Sequence, residues 1–227
     1  RVASRGLGDV YKRQVEIIDK AQDTEMSLPT NLTIFNRSMI NLENEIGVFN
    51  SYALMEKVVN RLNSNVKFYS VGRLKTSQNH KSEWVDDYEI KYISPLNKIY
   101  KEQTFEFKFS ESGFEITHLN NEEDIIETYN INGSSTESIK HNLPFEIIFH
   151  TSLVSLSESE KIIKIFPFVE TIQSLKLNFS VNPTSKNSDQ LLLKFLSSNK
   201  LIAIEFLNAL MDEFDKDGVK DRQMVYK

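Results

Sequence analysis

The chain has 227 residues, enough for one large domain or two small ones with a buried core. Hydrophobic residues make up 40% and charged residues 26%, as in ordinary globular chains, and the net charge of −5 argues against nucleic-acid binding. The lack of cysteine excludes disulfides, cysteine-based zinc sites and thiol nucleophiles, and the five glycines after residue 14 lie too far apart for a glycine-rich phosphate loop.

The first fourteen residues contain a foreign sequence pattern. Residues 9–14, Asp-Val-Tyr-Lys-Arg-Gln, match the translation of a transposase end sequence that is used to fragment DNA for sequencing. We therefore predict that residues 1–14 are an adapter artefact, disordered and packed against nothing, and we leave them out of the fold prediction. Without them the chain has 23 Lys and Arg against 31 Asp and Glu, a net charge of −8. Because the natural start is then missing, the lack of a targeting signal does not indicate a cytoplasmic protein.

Helical periodicity begins at Asn41. Apolar residues recur at helical spacing through about residue 62, with Asn41 as the expected N-cap. Ser51 is suited to cap a second segment if the helix breaks near residues 47–50. The stretch Val66–Val71 then predicts a strand, which Gly72 ends.

Between residues 84 and 165 the hydrophobic period changes from that of a helix to that of a strand. Turn-forming residues separate short alternating runs, which predicts an antiparallel sandwich or small barrel. The predicted strands are Tyr88–Ile93, Thr104–Phe109 with one aromatic face, Phe114–Leu119, Ile125–Asn130 and Phe145–His150.

From residue 166 the helical period returns. Ser197 or Ser198 is the expected N-cap of the last helix, which has the strongest apolar pattern of the chain. The predicted elements are a helix over Pro167–Leu175, a strand over Lys176–Val181, a strand buried on both faces over Leu191–Leu196, and a helix over residues 199–216.

These periods together predict an α+β fold in two parts. An α/β base is formed by both ends of the chain, residues 15–83 and 166–227. An antiparallel β-rich subdomain, similar to a sandwich or jelly roll, is inserted over residues 84–165.

The sequence contains no assembled catalytic or metal-binding pattern, so we predict no catalytic residue, no metal and no cofactor. The four histidines, His80, His118, His141 and His150, lack the spacing of metal ligands, and no Gly-x-Ser-x-Gly turn is present. The acidic run at residues 212–221 departs from a calcium-loop pattern and fits a solvated helix face. A Ser-His-Asp triad with distant members stays open, because such a triad leaves no local pattern.

Two rival functions of the β-rich insert also stay open. One is a glycan-processing enzyme, which would require a pocket with two facing carboxylates. The other is a carbohydrate-binding module with exposed aromatic residues on one sheet face, namely Phe105, Phe107, Phe109 and Trp84. Trp84 alone is better explained as a core or hinge residue.

Several segments resemble a known family in their order and spacing. Asn41–Ile46, Ser51–Val59, Leu62-Asn63 and Phe68–Lys75 resemble the bacterial chain-length determinants, which are polysaccharide co-polymerases of the Wzz/Wzc type. Ile202–Lys220 is similar to the helix that enters the long coiled-coil stem of that family. The sequence of residues 217–223, Asp-Gly-Val-Lys-Asp-Arg-Gln, is similar to members from Bacteroidetes. The resemblance covers residues 15–83 and 175–227.

The resemblance implies a periplasmic domain of a bacterial inner-membrane protein, held between two membrane helices that this chain lacks. It implies a ring-like homo-oligomer that sets the length of exported exopolysaccharide, capsule or O-antigen. The implied partners are the polysaccharide polymerase, the outer-membrane export machinery and the growing polysaccharide. Many members carry a tyrosine autokinase, but its Walker lysine loop and tyrosine cluster are not found here. We therefore expect a fragment that is not itself an enzyme.

Oligomer assembly requires that a face of the base contacts a neighbouring subunit. The two long helices carry polar faces of different charge, which predicts an interface that includes Lys57, Arg61, Glu205, Asp212 and Glu213. Because exposed ion pairs stabilise by only ~0–1 kcal/mol, we expect the isolated chain to be monomeric or weakly associated. The alternative, that these faces only keep the protein in solution, stays open.

Overall fold

A computed structural model describes residues 9–16, 42–137, 142–157, 160–185 and 190–225 of the chain. Within these ranges the protein has a mixed α+β fold with antiparallel sheets, which confirms the predicted fold class. The elements in chain order are β1 (Asp9–Glu16), α1 (42–49), α2 (Tyr52–Leu62), β2 (Val66–Val71), β3 (Thr76–Asn79), β4 (Tyr88–Tyr92), a 3-10 turn (Leu96–Lys98), β5 (Gln103–Phe109), β6 (Gly113–Leu119), β7 (Ile125–Asn132), β8 (Phe145–Phe149), α3 (Leu153–Leu156), β9 (Glu160–Ile165), α4 (Phe168–Asn178), β10 (Phe179–Pro183), β11 (Gln190–Ser197) and α5 (Lys200–Val225).

The chain divides into two compact units. The base unit combines both ends of the chain, residues 1–62 and 172–227, and the insert unit comprises residues 63–171. The insert unit therefore begins earlier than the predicted residue 84 and ends later than the predicted residue 165. The reason is that β2, assigned to the base from the sequence, pairs along its length with β9 of the insert unit, from Val66↔Ile165 to Val71↔Glu160.

The insert unit contains a six-stranded antiparallel sheet of order β3-β2-β9-β5-β6-β7 and a two-stranded sheet of β4 and β8. Side chains from both sheets meet in one hydrophobic core. Alternation along β5 directs Phe105 and Phe107 into this core, where Phe105 meets Phe145 edge-on at 5.1 Å between ring centroids. The indole of Trp84 is fully buried there and donates a hydrogen bond to the carbonyl of Tyr69, 3.0 Å away.

Two tight turns hold the meander of β5, β6 and β7. Gly113 lies so close to β7 that an added Cβ would be 1.9 Å from the carbonyl oxygen of Ile131, which excludes any other residue there. In the next turn the side-chain oxygen of Asn120 accepts hydrogen bonds from the backbone N–H groups of Glu122 and Asp124.

The base unit contains an antiparallel sheet of order β1-β11-β10. Along β11 Leu191, Leu193 and Phe195 are buried, whereas Leu192 is half-buried and Leu196 is exposed. The prediction of a strand buried on both faces is therefore wrong. Phe206 of α5 stacks on Phe195 with ring centroids 4.1 Å apart, so α5 packs against the buried face of this strand.

Residues 9–16 form a strand, which corrects the expectation that residues 1–14 are disordered and pack against nothing. The strand β1 pairs with β11 from Asp9↔Ser197 to Glu16↔Gln190. Sheet pairing joins backbone N–H and C=O groups, so it does not require a selected sequence. Residues 1–8 lie outside the described residues, and the adapter origin of residues 9–14 stays a prediction.

Helix boundaries differ from the predicted ones for local reasons. The first helix is broken into α1 and α2, and the hydroxyl of Ser51 accepts the N–H of Leu54, as expected for a cap. The strand predicted over Lys176–Val181 begins only at Phe179, because α4 continues to Asn178.

The last helix begins and ends differently from its prediction. The side-chain oxygen of Asn199 accepts the N–H groups of Leu201 and Ile202, so Asn199 caps α5 instead of Ser197 or Ser198. The helix α5 also runs to Val225 rather than to residue 216. Among the described residues no helix is both long and apolar enough to cross a membrane.

Candidate functional site

Three of the five residues predicted at an oligomer interface, Arg61, Asp212 and Glu213, contact each other within one chain, and a fourth, Lys57, pairs with Asp217. Lys57 and Arg61 lie on α2, and Asp212 and Glu213 lie on α5, which packs against α2 in the base unit. The fifth residue, Glu205, is half-buried on α5, about two turns before Glu213.

Apolar packing brings these two helices together. The buried residues of α2, spaced i, i+1, i+4 and i+5, form one stripe, which consists of Leu54, Met55, Val58 and Val59. On α5 Phe206, Leu207 and Leu210 are buried in the same way. Beyond them, Phe49 of α1 stacks on Phe214 with ring centroids 4.2 Å apart.

Ion pairs follow the edge of this helix contact. We call the set the charged ladder; it consists of Lys57, Arg61, Asp212, Glu213, Lys216 and Asp217. The ammonium of Lys57 lies 2.6 and 2.7 Å from the two carboxylate oxygens of Asp217. The guanidinium of Arg61 donates to Asp212 at 2.7 Å and to Glu213 at 3.1 Å. Because the partner number falls as the α2 number rises, the two helices run antiparallel.

Glu213 is the least exposed carboxylate of the charged ladder, with 14% of its side chain accessible. It accepts hydrogen bonds from Lys216 at 2.6 Å and from Arg61. These contacts, Lys216 first, lower the pKa of the Glu213 carboxyl, and the hydrogen bond to Asp212 raises the pKa of Arg61. Arg61 and Glu213 therefore stay ionised at neutral pH, and their ion pairs help to fix α2 on α5.

The ion pairs engage charges that were predicted to lie at an oligomer interface. The charges expected to face a neighbouring subunit are engaged within the chain, although Lys57 and Asp212 keep 42% and 53% of their side chains exposed. Sequence reasoning placed Lys216 on the polar face of the last helix but did not include Asp217 in the predicted interface. The i,i+4 spacing shared by Lys57–Arg61 and Glu213–Asp217 was the available signal, and it becomes informative only once the helices are known to be antiparallel neighbours.

An open groove of about 350 Å³ lies on the outer face of the two-stranded sheet in the insert unit. The ammonium of Lys91 lies 3.7 Å from Glu146, its cross-strand partner, and His150 lies 3.7 Å from Glu89. Glu89 and Lys91 are 75% and 80% exposed, so water reaches these groups freely. The groove is lined by Glu89, Ile90, Lys91, Glu137, Glu146 and Ile148.

The aromatic face suggested for sugar binding is part of the hydrophobic core. Phe105, Phe107 and Trp84 are fully buried, and Phe109 packs against the same core. Stacking on a sugar requires an accessible ring face, so the suggestion of these four residues as a sugar platform is wrong.

The histidines that the structure describes, His80, His118 and His150, do not form a metal site. Among the described residues no group of three or more His, Asp and Glu is arranged to hold a metal ion. His118 stacks on Phe105 of the neighbouring strand with ring centroids 4.5 Å apart. Burial lowers the pKa of His118, and the charge of Glu127 opposes this effect. His141 lies outside the described residues.

Comparison with known proteins leaves the function to be argued from the molecule itself. A scan against models of protein families and a search of curated proteins both returned no match.

Proposed function

We propose that the chain is a periplasmic module of a bacterial polysaccharide co-polymerase. It regulates the chain length and export of exopolysaccharide, capsule or O-antigen through assembly of a homo-oligomer, and not through catalysis. One observation supports this proposal most strongly. Two of the segments that resemble the family, residues 42–59 and 202–217, are far apart in the sequence and pack together as α1, α2 and α5 of the base unit, whereas a third, Phe68–Lys75, belongs to the insert unit.

The charged ladder gives this arrangement a physical role. The helix α5 has 26 residues, about 39 Å at the usual rise, and is the longest described element. Over residues 200–217, where side-chain burial is described, its buried residues lie between Ala203 and Leu210, and the acidic and basic residues of the charged ladder follow at residues 212–217. The ion pairs, together with the stacking of Phe214 on Phe49, thus fix the direction of α5 beyond its buried stripe. In the proposed oligomer, that direction sets how subunits meet, and so the length of the polymer.

The experiment uses the full-length parent protein in a strain that lacks it, with polymer length read from gels and oligomer mass from crosslinking. The variant Lys57→Glu/Arg61→Glu is expected to change both the length distribution and the oligomer. The matched control Lys57→Asp/Asp217→Lys exchanges the charges of one pair and is expected to retain the wild-type distribution if the ladder acts within the chain. A polymer length that does not depend on the parent protein would overturn the proposed function.

A glycan-processing β domain is the second candidate, favoured by the groove that Glu89, Glu137 and Glu146 line. Its weakness is the exposure of Glu89, since a general acid at neutral pH is usually shielded from water. Incubation of the protein with surface glycan and sizing of the products tests it. Shorter products that disappear with Glu146→Gln would favour this candidate over the co-polymerase.

A further inference from the structure

The hairpin formed by β2 and β3 in the insert unit ends in a turn with an exposed apolar tip. Leu74 at its tip is 99% exposed, the highest value among the exposed large hydrophobic residues described. A single exposed leucine is common in soluble proteins and needs no explanation by itself. The surroundings of this one, however, are distinctive in charge and in geometry.

Basic residues flank Leu74 on both sides. Arg73 and Lys75 form no ion pair with any described carboxylate, although Glu160 lies close in register, opposite Val71. No acidic residue occurs from Val66 through Ser82, a stretch with four basic residues in a chain of net charge −5. The hairpin is therefore a positive projection on a negatively charged protein.

The backbone holds the tip in a defined shape. The last strand pair is Val71↔Thr76, and the N–H of Gly72 donates to the carbonyl of Lys75 at 3.0 Å. The strand β3 is the edge of the six-stranded sheet. The tip, which we define as residues 72–75, thus lies at a corner of the sheet.

We infer that this tip binds the surface of a bilayer that contains anionic lipids. Leu74 enters the interface between headgroups and acyl chains, while Arg73 and Lys75 lie at the lipid phosphates. A soluble polyanion would need the cations only and would leave Leu74 in water, whereas a membrane interface uses both components. This inference does not rest on the proposed function.

Vesicle sedimentation with the complete 227-residue chain tests the inference. We expect binding to vesicles of equal parts phosphatidylcholine and phosphatidylglycerol at low salt, and not to phosphatidylcholine alone. Leu74→Ser should weaken binding roughly tenfold, the usual effect of losing a buried leucine side chain. Arg73→Gln/Lys75→Gln should weaken it on the order of tenfold or more. Because all three side chains are outside the core, the variants should retain the wild-type melting temperature.

The matched control is Leu177→Ser, which removes a leucine of α4 that is 87% exposed and follows a lysine. It should leave binding unchanged. A second readout uses the lack of cysteine in the chain: a polarity-sensitive dye on Leu74→Cys should brighten on anionic vesicles, and the same dye on Leu177→Cys should not. The inference would be overturned if the wild type did not bind anionic vesicles, or if Leu177→Ser weakened vesicle binding as much as Leu74→Ser. It would also be overturned if the protein bound dextran sulfate as tightly as the vesicles and Leu74→Ser did not weaken that binding.

Discussion

Asn65 joins three segments of the insert unit through one side-chain amide. It is buried immediately before β2, and its amide nitrogen donates to the carbonyl of Leu96 at 3.1 Å and to that of Phe166 at 3.4 Å. Its backbone carbonyl also accepts the N–H of Phe166. A side chain that must donate twice and is shielded from water tolerates few substitutions.

We expect Asn65→Ala to lower the free energy of unfolding by about 1–3 kcal/mol, because the buried carbonyl of Leu96 and the partly buried carbonyl of Phe166 lose a donor. Asn65→Asp should cost more at neutral pH, since a carboxylate would face those carbonyls without a proton. The difference should narrow in acid, where a neutral carboxyl donates one bond. Urea denaturation measures both effects, with Asn97→Asp on the exposed 3-10 turn as the control. Equal costs for the alanine and aspartate variants at neutral pH would contradict this role.

His118 is expected to make stability depend on pH. Because burial holds its pKa below the ordinary value near 6.5, the unfolded chain binds a proton more readily than the folded one. The free energy of unfolding should therefore fall as the pH drops below the ordinary histidine value toward the lower pKa of folded His118. Above the ordinary value this contribution to stability should be fully present. Urea melts at about pH 7.5 and about pH 5.5 should show this loss in the wild type and less of it in His118→Gln. An unchanged loss in His118→Gln, with the exposed His150→Gln as reference, would refute the assignment.

At the scale of elements, the charged ladder couples α2 to α5 with unequal strength along its length. Its contacts with exposed side chains contribute little, typically ~0–1 kcal/mol each. Glu213 differs because it is mostly shielded and receives two cations.

We expect Glu213→Gln to lower the free energy of unfolding by about 1 kcal/mol at neutral pH, the upper end for such pairs. The folded-state pKa of Glu213 is depressed, so its contribution is present above the unfolded value and is lost as the pH falls through the lower folded one. The wild type and the variant should therefore converge in acid. Thermal melts across this range measure the difference, and the exposed Asp215→Asn on the same helix is the control. A difference that persists unchanged in acid would argue against the ion pairs.

The pairing of β1 with β11 leads to a second prediction about the elements. We expect a chain that begins at residue 17 to leave that edge unpaired, because β1 joins β11 over eight residue pairs. The melting temperature should fall and the tendency to associate through the free edge should rise. Light scattering and thermal melts would show both, and a peptide of residues 9–16 should reverse them. If the shortened chain melts and elutes like the complete one, β1 contributes nothing to the base unit.

Local sequence patterns predicted the bounds of most strands within a residue or two. They did not predict to which unit a strand belongs, because that depends on pairing with a distant segment. The strand Thr104–Phe109 was predictable because alternation and flanking turns are properties of the segment itself. The placement of Val66–Val71 was not, because its partner β9 lies about a hundred residues later and nothing local distinguishes a base strand from an insert strand. The charge pattern of the sequence identified the predicted interface residues. Their pairing could not be predicted, because it depends on the antiparallel contact of α2 and α5.

At the scale of the whole molecule, the two units differ in how they can fold. Among the described residues, the hydrophobic core of the insert unit is formed by residues from Val66 to Ile165. The ends of this unit also meet, because β2 and β9 are neighbouring strands and Phe166 bonds to Asn65. A segment with its own core and adjacent ends has the features of an inserted domain that folds alone.

We expect residues 63–171, expressed by themselves, to fold cooperatively. The measurement uses Trp84, the only tryptophan of the 227-residue chain. Its fluorescence should be blue-shifted in the excised unit as in that chain, since its burial depends on insert residues such as Phe68 and Phe107. Urea should shift this emission and the far-ultraviolet circular dichroism in one coincident transition. Asn65→Asp in the excised unit provides a destabilised reference. Emission typical of tryptophan in water, or two separate transitions, would show that the insert unit requires the base unit in order to fold.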